Sequence, residues 1–175
     1  MQRQKVGYFS IPGDATRREF AVYVLAAKRR QTRRISFYVG KTGDNREGCN
    51  PVISRAGNHF SYNRIHSQMR NHLQPNDPRE YDFHYFYVTF GPYSTSRRKN
   101  RELVNLTNEL ERRLNKKVQA ELTSIGELCN PYRGSGYINH NELKRRDSYG
   151  KARHDRLLKE LISRIQTWAN RNRRV

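Results

Sequence analysis

Apolar and aromatic residues gather in a few short blocks along this chain, and the spacing inside each block predicts its element. Residues 19–27 (Glu-Phe-Ala-Val-Tyr-Val-Leu-Ala-Ala) are dense in β-branched and aromatic side chains and read as a strand. A charged connection over 28–34 leads to a second strand at 35–41, Ile-Ser-Phe-Tyr-Val-Gly-Lys. So short a link favours an antiparallel hairpin. Alternation with period two puts Ala21, Tyr23 and Leu25 on one face of the first strand, and Ser36, Tyr38 and Gly40 on one face of the second.

Beyond a Gly/Asp/Asn loop over 42–49, Asn50 as N-cap and Pro51 at the first helical position open a short helix over 51–60. A second helical run is predicted over 61–73, where Tyr62, Ile65, Met69 and Leu73 recur at helical spacing. Prolines at 75 and 78 break it. Residues 81–90 form a third, aromatic strand, stopped by Gly91-Pro92. An N-cap within 94–96 precedes a stripe of Leu103, Leu106, Leu110, Leu114 and Val118, a helix running to about 128 or restarting near Gln119. Asn130-Pro131 ends it, 132–149 reads as loop, and a last amphipathic helix covers 151–170 with Leu158, Leu161, Ile165 and Trp168 on one face. The fold class is α+β: a small three-stranded antiparallel sheet flanked by helices. No internal repeat or dividing linker breaks the chain, so 1–175 is expected to be a single domain.

Charge changes the picture most. Among 175 residues, 35 Lys+Arg oppose 16 Asp+Glu, a net charge of +19. With a mean hydropathy of −1.06, disorder is the first alternative, but 11 Tyr, 7 Phe and a Trp grouped in periodic blocks argue against it. The surplus runs along the whole chain, which suits a protein that embraces a polyanion; nucleic acid is the first candidate. No apolar run is long enough to span a membrane, and no secretory signal pattern opens the sequence. Cys49 and Cys129 form neither a disulfide framework nor a CxxC zinc site. The expected compartment is reducing, and cytoplasmic.

Two tyrosines at matching places in adjacent strands, Tyr23 and Tyr38, can come to one face. Arg55 and His59, four apart on a helix, share another. Lys41 and Arg55 are placed to favour a phenolate, and Glu121 offers a carboxylate further on. Phosphodiester hydrolysis needs a base, a divalent ion and a cation against the transition-state charge; these residue types supply them.

Val22-Tyr23, then Tyr38-Val39-Gly40-Lys41, then Arg55-x3-His59 resembles the GIY-YIG nuclease superfamily, over a core of 20–139. The resemblance implies that Tyr23 is the general base and that Tyr38 orients water or phosphate. It implies that Arg55 holds the scissile phosphate, that His59 lines the site, and that Glu121 is the sole carboxylate on Mg2+ or Mn2+. Asn139 would be the supporting polar residue. Glu111 rivals Glu121, and Asn130 rivals Asn139. The first motif reads Ala-Val-Tyr rather than Gly-Ile-Tyr, the second Tyr-Val-Gly, and the long interval from Arg55 to Glu121 implies an inserted helix. Residues 140–175 would be a helical extension for DNA contact or dimerisation.

The expectation is a metal-dependent endonuclease on double-stranded DNA, first a type II restriction enzyme acting as a homodimer, with a phage-type nicking nuclease close behind. Arg30, Arg33, Arg34, Arg64, Arg70, Lys144 and Arg145 are the candidate DNA contacts. The alternatives are a non-catalytic nucleic-acid-binding or ribosome-associated module, whose aromatics would stack bases, and a metal-free RNase.

Overall fold

The computed structural model describes residues 7–32, 34–43, 49–63, 65, 67–73, 77–133 and 140–173. Its sheet is built on a long hairpin, β1 (Glu19–Arg29) and β2 (Ile35–Lys41), with β3 (Tyr81–Pro92) on the other side of β1. Both pairings are antiparallel, and Tyr23 faces Gly40 and Tyr87 across them. The sheet has a fourth strand, β4 (Glu127–Leu128), paired parallel to β2 through Ser36 and Phe37, so the order is β3-β1-β2-β4. The expected three-stranded antiparallel sheet is thus a four-stranded mixed one, within the same α+β class. Two residues carry no periodicity, and tertiary pairing alone makes them a strand.

As the central strand, β1 is enclosed on both faces. Val22, Val24 and Ala26 join Ile35, Phe37 and Val39 in a core against α3 (Arg97–Glu121) and α5 (Ala152–Arg173). Leu25 and Ala27 face the other way, into a smaller cluster with Met69, Leu73 and Tyr81, and Tyr38 and Tyr85 pack against it. The stripe foreseen on α3 is buried at Leu106, Leu110, Leu114 and Val118.

Several boundaries differ from expectation. The helix expected over 51–60 is α1 (Val52–Asn58), with Pro51 rather than Asn50 at the N-cap. The run expected over 61–73 shrinks to α2 (Gln68–His72). Here Ser67 Oγ bonds the carbonyls of Ser61 and Asn63, and such local side-chain bonding competes with helix. Tyr62 and Ile65 are therefore 91% and 77% exposed, while Met69 and Leu73 are buried. Helix α3 is capped by Ser96 Oγ, which accepts from the Lys99 amide, and it ends at Glu121, short of 128. Gly126 then passes so close to β2 that a Cβ there would stand 2.4 Å from the Ile35 carbonyl oxygen. Part of the stretch read as loop over 132–149 is α4 (His140–Asp147).

Candidate active site

The register Tyr23↔Gly40 builds the centre of the site. Tyr23 points to the face of the sheet opposite α3, and its ring lies over Gly40. A Cβ on Gly40 would stand 2.4 Å from both Cζ and the hydroxyl oxygen of Tyr23. Only a residue without a side chain leaves that space. Leu25↔Tyr38 places the second phenol on the same face, two residues along β2.

The C-terminal end of helix α1 meets this face. His59 is its C-cap residue, with its amide bonded to the carbonyls of Ala56 and Arg55. Its Nε2 is hydrogen bonded to Tyr23 Oη at 2.8 Å. The imidazole meets the Tyr38 ring edge-on at 4.8 Å between centroids and the Tyr23 ring at 5.7 Å. Tyr85 of β3, which the sequence did not single out, lies 4.6 Å from Tyr23 between ring centroids. Only its place in the alternation Tyr81, Phe83, Tyr85, Tyr87 hinted that it shares this face.

Burial sets the protonation of the cluster. Tyr23 is fully enclosed, and its pKa is pushed up to about 12; the Arg55 charge pulls the other way. Burial also raises Tyr38, aided by the Glu111 carboxylate and opposed by Arg55 and Lys41. Tyr85 is raised well above the usual phenol value, again by burial and then by Tyr23. Burial, with Arg55 adding to it, depresses His59 to about 4. Lys41 and Arg55 do pull toward phenolate as expected, but desolvation outweighs them. At neutral pH the free protein therefore holds neutral phenols around a neutral imidazole. His59 Nδ1 is buried with no hydrogen-bond partner among the described residues.

The two candidate carboxylates part company. Glu111 Oε2 is 2.9 Å from Lys41 Nζ, and its charge reaches Tyr38. Glu121 is ten residues further along α3, about 15 Å at 1.5 Å per residue, and its ion partner is Lys117 at 3.8 Å. Asn130 also stands by the site. Its Oδ1 accepts from the Val39 amide at 3.0 Å, and its Nδ2 donates to the Val39 carbonyl at 2.7 Å. Asn139 lies outside the described residues, as do Arg33 and Arg64.

The remaining expected contacts are dispersed. Arg30 bonds Asp82 at 2.9 Å and Arg34 bonds Glu127 at 2.6 Å, both at the hairpin end of the sheet, roughly 20 Å along the strands from Tyr23. Arg70 on α2 lies over the exposed Tyr62 ring at 4.2 Å. Lys144 and Arg145 are exposed on α4. No three His, Cys, Asp or Glu side chains cluster as a metal cage among the described residues. No described helix is long and apolar enough to cross a membrane.

No protein-family model, no curated protein and no solved structure matches this chain.

Proposed function

We propose that the chain is a divalent-metal-dependent endonuclease acting on double-stranded DNA, built on the GIY-YIG plan. The observation that carries the reading is one neutral imidazole touching two phenols that β1 and β2 present on the same face, with Arg55 in electrostatic reach of both. The net charge of +19 supports a polyanionic substrate.

The roles follow from burial. Tyr38 is the partly exposed phenol, so it is the one that meets substrate and orients water or phosphate. Tyr23, enclosed, acts as a positioning residue through His59: with Nε2 unprotonated, the imidazole accepts the phenol's hydrogen bond and is held against the Tyr38 ring. Arg55 opposes the negative charge that gathers on the phosphate in the transition state.

Glu111 fits a hydrated Mg2+ or Mn2+. It is a hard oxygen donor beside a polar cleft, and Mg2+ commonly takes one or two carboxylates and keeps several waters. Lys41 must yield its place for this. Such an ion supplies Lewis-acid stabilisation of the phosphate and leaving oxygen. A single site cuts one strand, so cleavage of both strands in a symmetric sequence favours a homodimer, the type II restriction arrangement.

The complete burial of Tyr23, with its raised pKa, favours a second reading, a non-catalytic nucleic-acid-binding module in which the tyrosines are structural. Incubation with supercoiled plasmid separates the two. Nicked or linear product in Mg2+ or Mn2+, absent in EDTA and lost in Tyr38→Phe and Arg55→Ala with DNA binding retained, is the expected result. Plasmid that is bound but left intact with either metal refutes the endonuclease.

A further inference from the structure

On the other face of the sheet, beside Glu111, a cleft of about 500 Å³ opens between α3, the 130–133 segment and α4. Five basic side chains line it against two acidic ones. Both acids are already engaged in its wall. Glu109 is bonded by Arg112 and Arg113, which outweigh burial and hold its carboxyl below the usual range. Glu111 faces Lys41. Arg133, Arg145 and Arg146 add three more guanidinium groups to the lining.

The wall is pinned in advance. Asn115 Nδ2 donates to the Asn130 carbonyl and its Oδ1 accepts from the Tyr132 amide, each at 2.8 Å. Asn130 in turn grips Val39. These bonds fix the segment that carries Tyr132 and Arg133, and preordering of this kind lowers the entropic cost of binding. Tyr132 and Tyr149 also line the cleft, as does the pair Asn105 and Asn108, three apart on one face of α3.

We propose that this cleft binds one nucleotide: its phosphate against Arg133, Arg145 and Arg146, its base against Tyr132 and the amides of Asn105 and Asn108. Guanidinium groups suit phosphate, aromatic rings suit base faces, and an amide can pair both ways with an adenine edge. The volume lies in the range of small-molecule sites, and a duplex does not enter it. The nucleotide is thus free, or unpaired within a strand. The proposal stands apart from the endonuclease reading, because it needs neither metal nor cleavage.

The test is calorimetric titration of the whole protein in EDTA at low salt, with dAMP, ribose 5-phosphate, inorganic phosphate and 5′-phosphorylated oligo(dA)5 as probes. Binding of dAMP at least tenfold tighter than either base-free probe is expected. Tyr132→Ala and Arg145→Ala/Arg146→Ala should each weaken dAMP about tenfold. Asn108→Ala should weaken dAMP but leave ribose 5-phosphate unchanged. Tyr132, Arg145 and Asn108 are exposed, so the fold should survive, as unchanged melting curves would verify. Tighter binding of the oligonucleotide than of dAMP assigns the site to a strand, and the reverse to a free nucleotide. Absence of dAMP binding, binding no tighter than inorganic phosphate, or binding indifferent to Tyr132→Ala overturns the proposal. If dAMP binds but plasmid stays intact, the cleft survives and the endonuclease falls; if plasmid is cut but dAMP does not bind, the endonuclease survives and the cleft falls.

Discussion

Gly40→Ala probes the centre of the site with a single methyl group. The new Cβ would lie 2.4 Å from Tyr23 Cζ and its hydroxyl oxygen, where non-bonded carbons settle at about 3.5–4.0 Å. Something must move by about 1 Å. Tyr23 is fully buried, lies 4.6 Å from Tyr85 and is bonded to His59, so the ring has no free direction. Overpacking of this kind costs about 1–3 kcal/mol, and loss of the buried Tyr23–His59 hydrogen bond adds about 1 kcal/mol. The expected destabilisation is therefore about 2–4 kcal/mol, a large part of a typical domain's stability. Urea denaturation of wild type, Gly40→Ala, Tyr23→Ala and the double variant closes a double-mutant cycle. With the ring removed, Gly40→Ala should cost less than about 1 kcal/mol, and cleavage should be abolished in all three variants. A Gly40→Ala protein as stable as wild type, or additive effects around the cycle, would refute the placement of Tyr23 over Gly40.

Three further outcomes can be checked. His59 has a folded pKa near 4 against about 6.5 unfolded, so the unfolded chain binds more protons between those values. Stability present above about pH 6.5 is lost as pH falls toward 4, by about 3 kcal/mol, and His59→Gln should remove that part of the difference between urea midpoints at pH 7 and pH 4. Glu111→Gln should lower metal-dependent cleavage by about a hundredfold or more, whereas Glu121→Gln loses only an exposed ion pair and should stay within about twofold; equal losses would show that the choice between the carboxylates is wrong. Asn130→Ala strips two bonds from Val39 and should cost about 1–3 kcal/mol by thermal denaturation, with α3 and α5 retained in circular dichroism.

The elements with strong periodicity were legible in the sequence. Alternation in 19–27 and 35–41 placed both phenols on one face, and i,i+4 spacing put Arg55 and His59 together. What the sequence left hidden depends on contacts made by chain far away. Residues 127–128 become a strand only because α3 returns them to β2. Apart from Leu143, α4 is polar throughout, so no apolar stripe announced it. Tyr62 and Ile65 fell on a helical period that Ser67 interrupts with its own hydroxyl. Glu111 and Glu121 look alike within a charged helix; only the crossing of α3 over β2 brings the first beside Lys41. Tyr85 needed the β1–β3 register, which no local pattern contains.

In the proposed endonuclease, the geometry of β2 would let groups from two faces serve one phosphate. The strand is paired on both sides at Ser36 and Phe37, but β4 ends there, and the Asn130 side chain stands in for a neighbouring backbone at Val39. Past that point β2 is an edge among the described residues. Along 38–41 its side chains alternate: Tyr38 and Gly40 face His59, Val39 and Lys41 face α3. At an interior strand those faces would be sealed from each other by the sheet. At an edge they meet, which is why the Glu111 charge acts on Tyr38 although its helix packs on the far face. A phosphate lying across this edge would be approached by Arg55 from one face and Lys41 from the other. The Lys41–Glu111 pair then has a second consequence in the proposed nuclease, since an anion that attracts Lys41 would weaken the competition of its ammonium with a divalent cation at Glu111. Substrate and metal should therefore bind cooperatively, and replacing Lys41 with Met should raise metal affinity without substrate while weakening DNA binding.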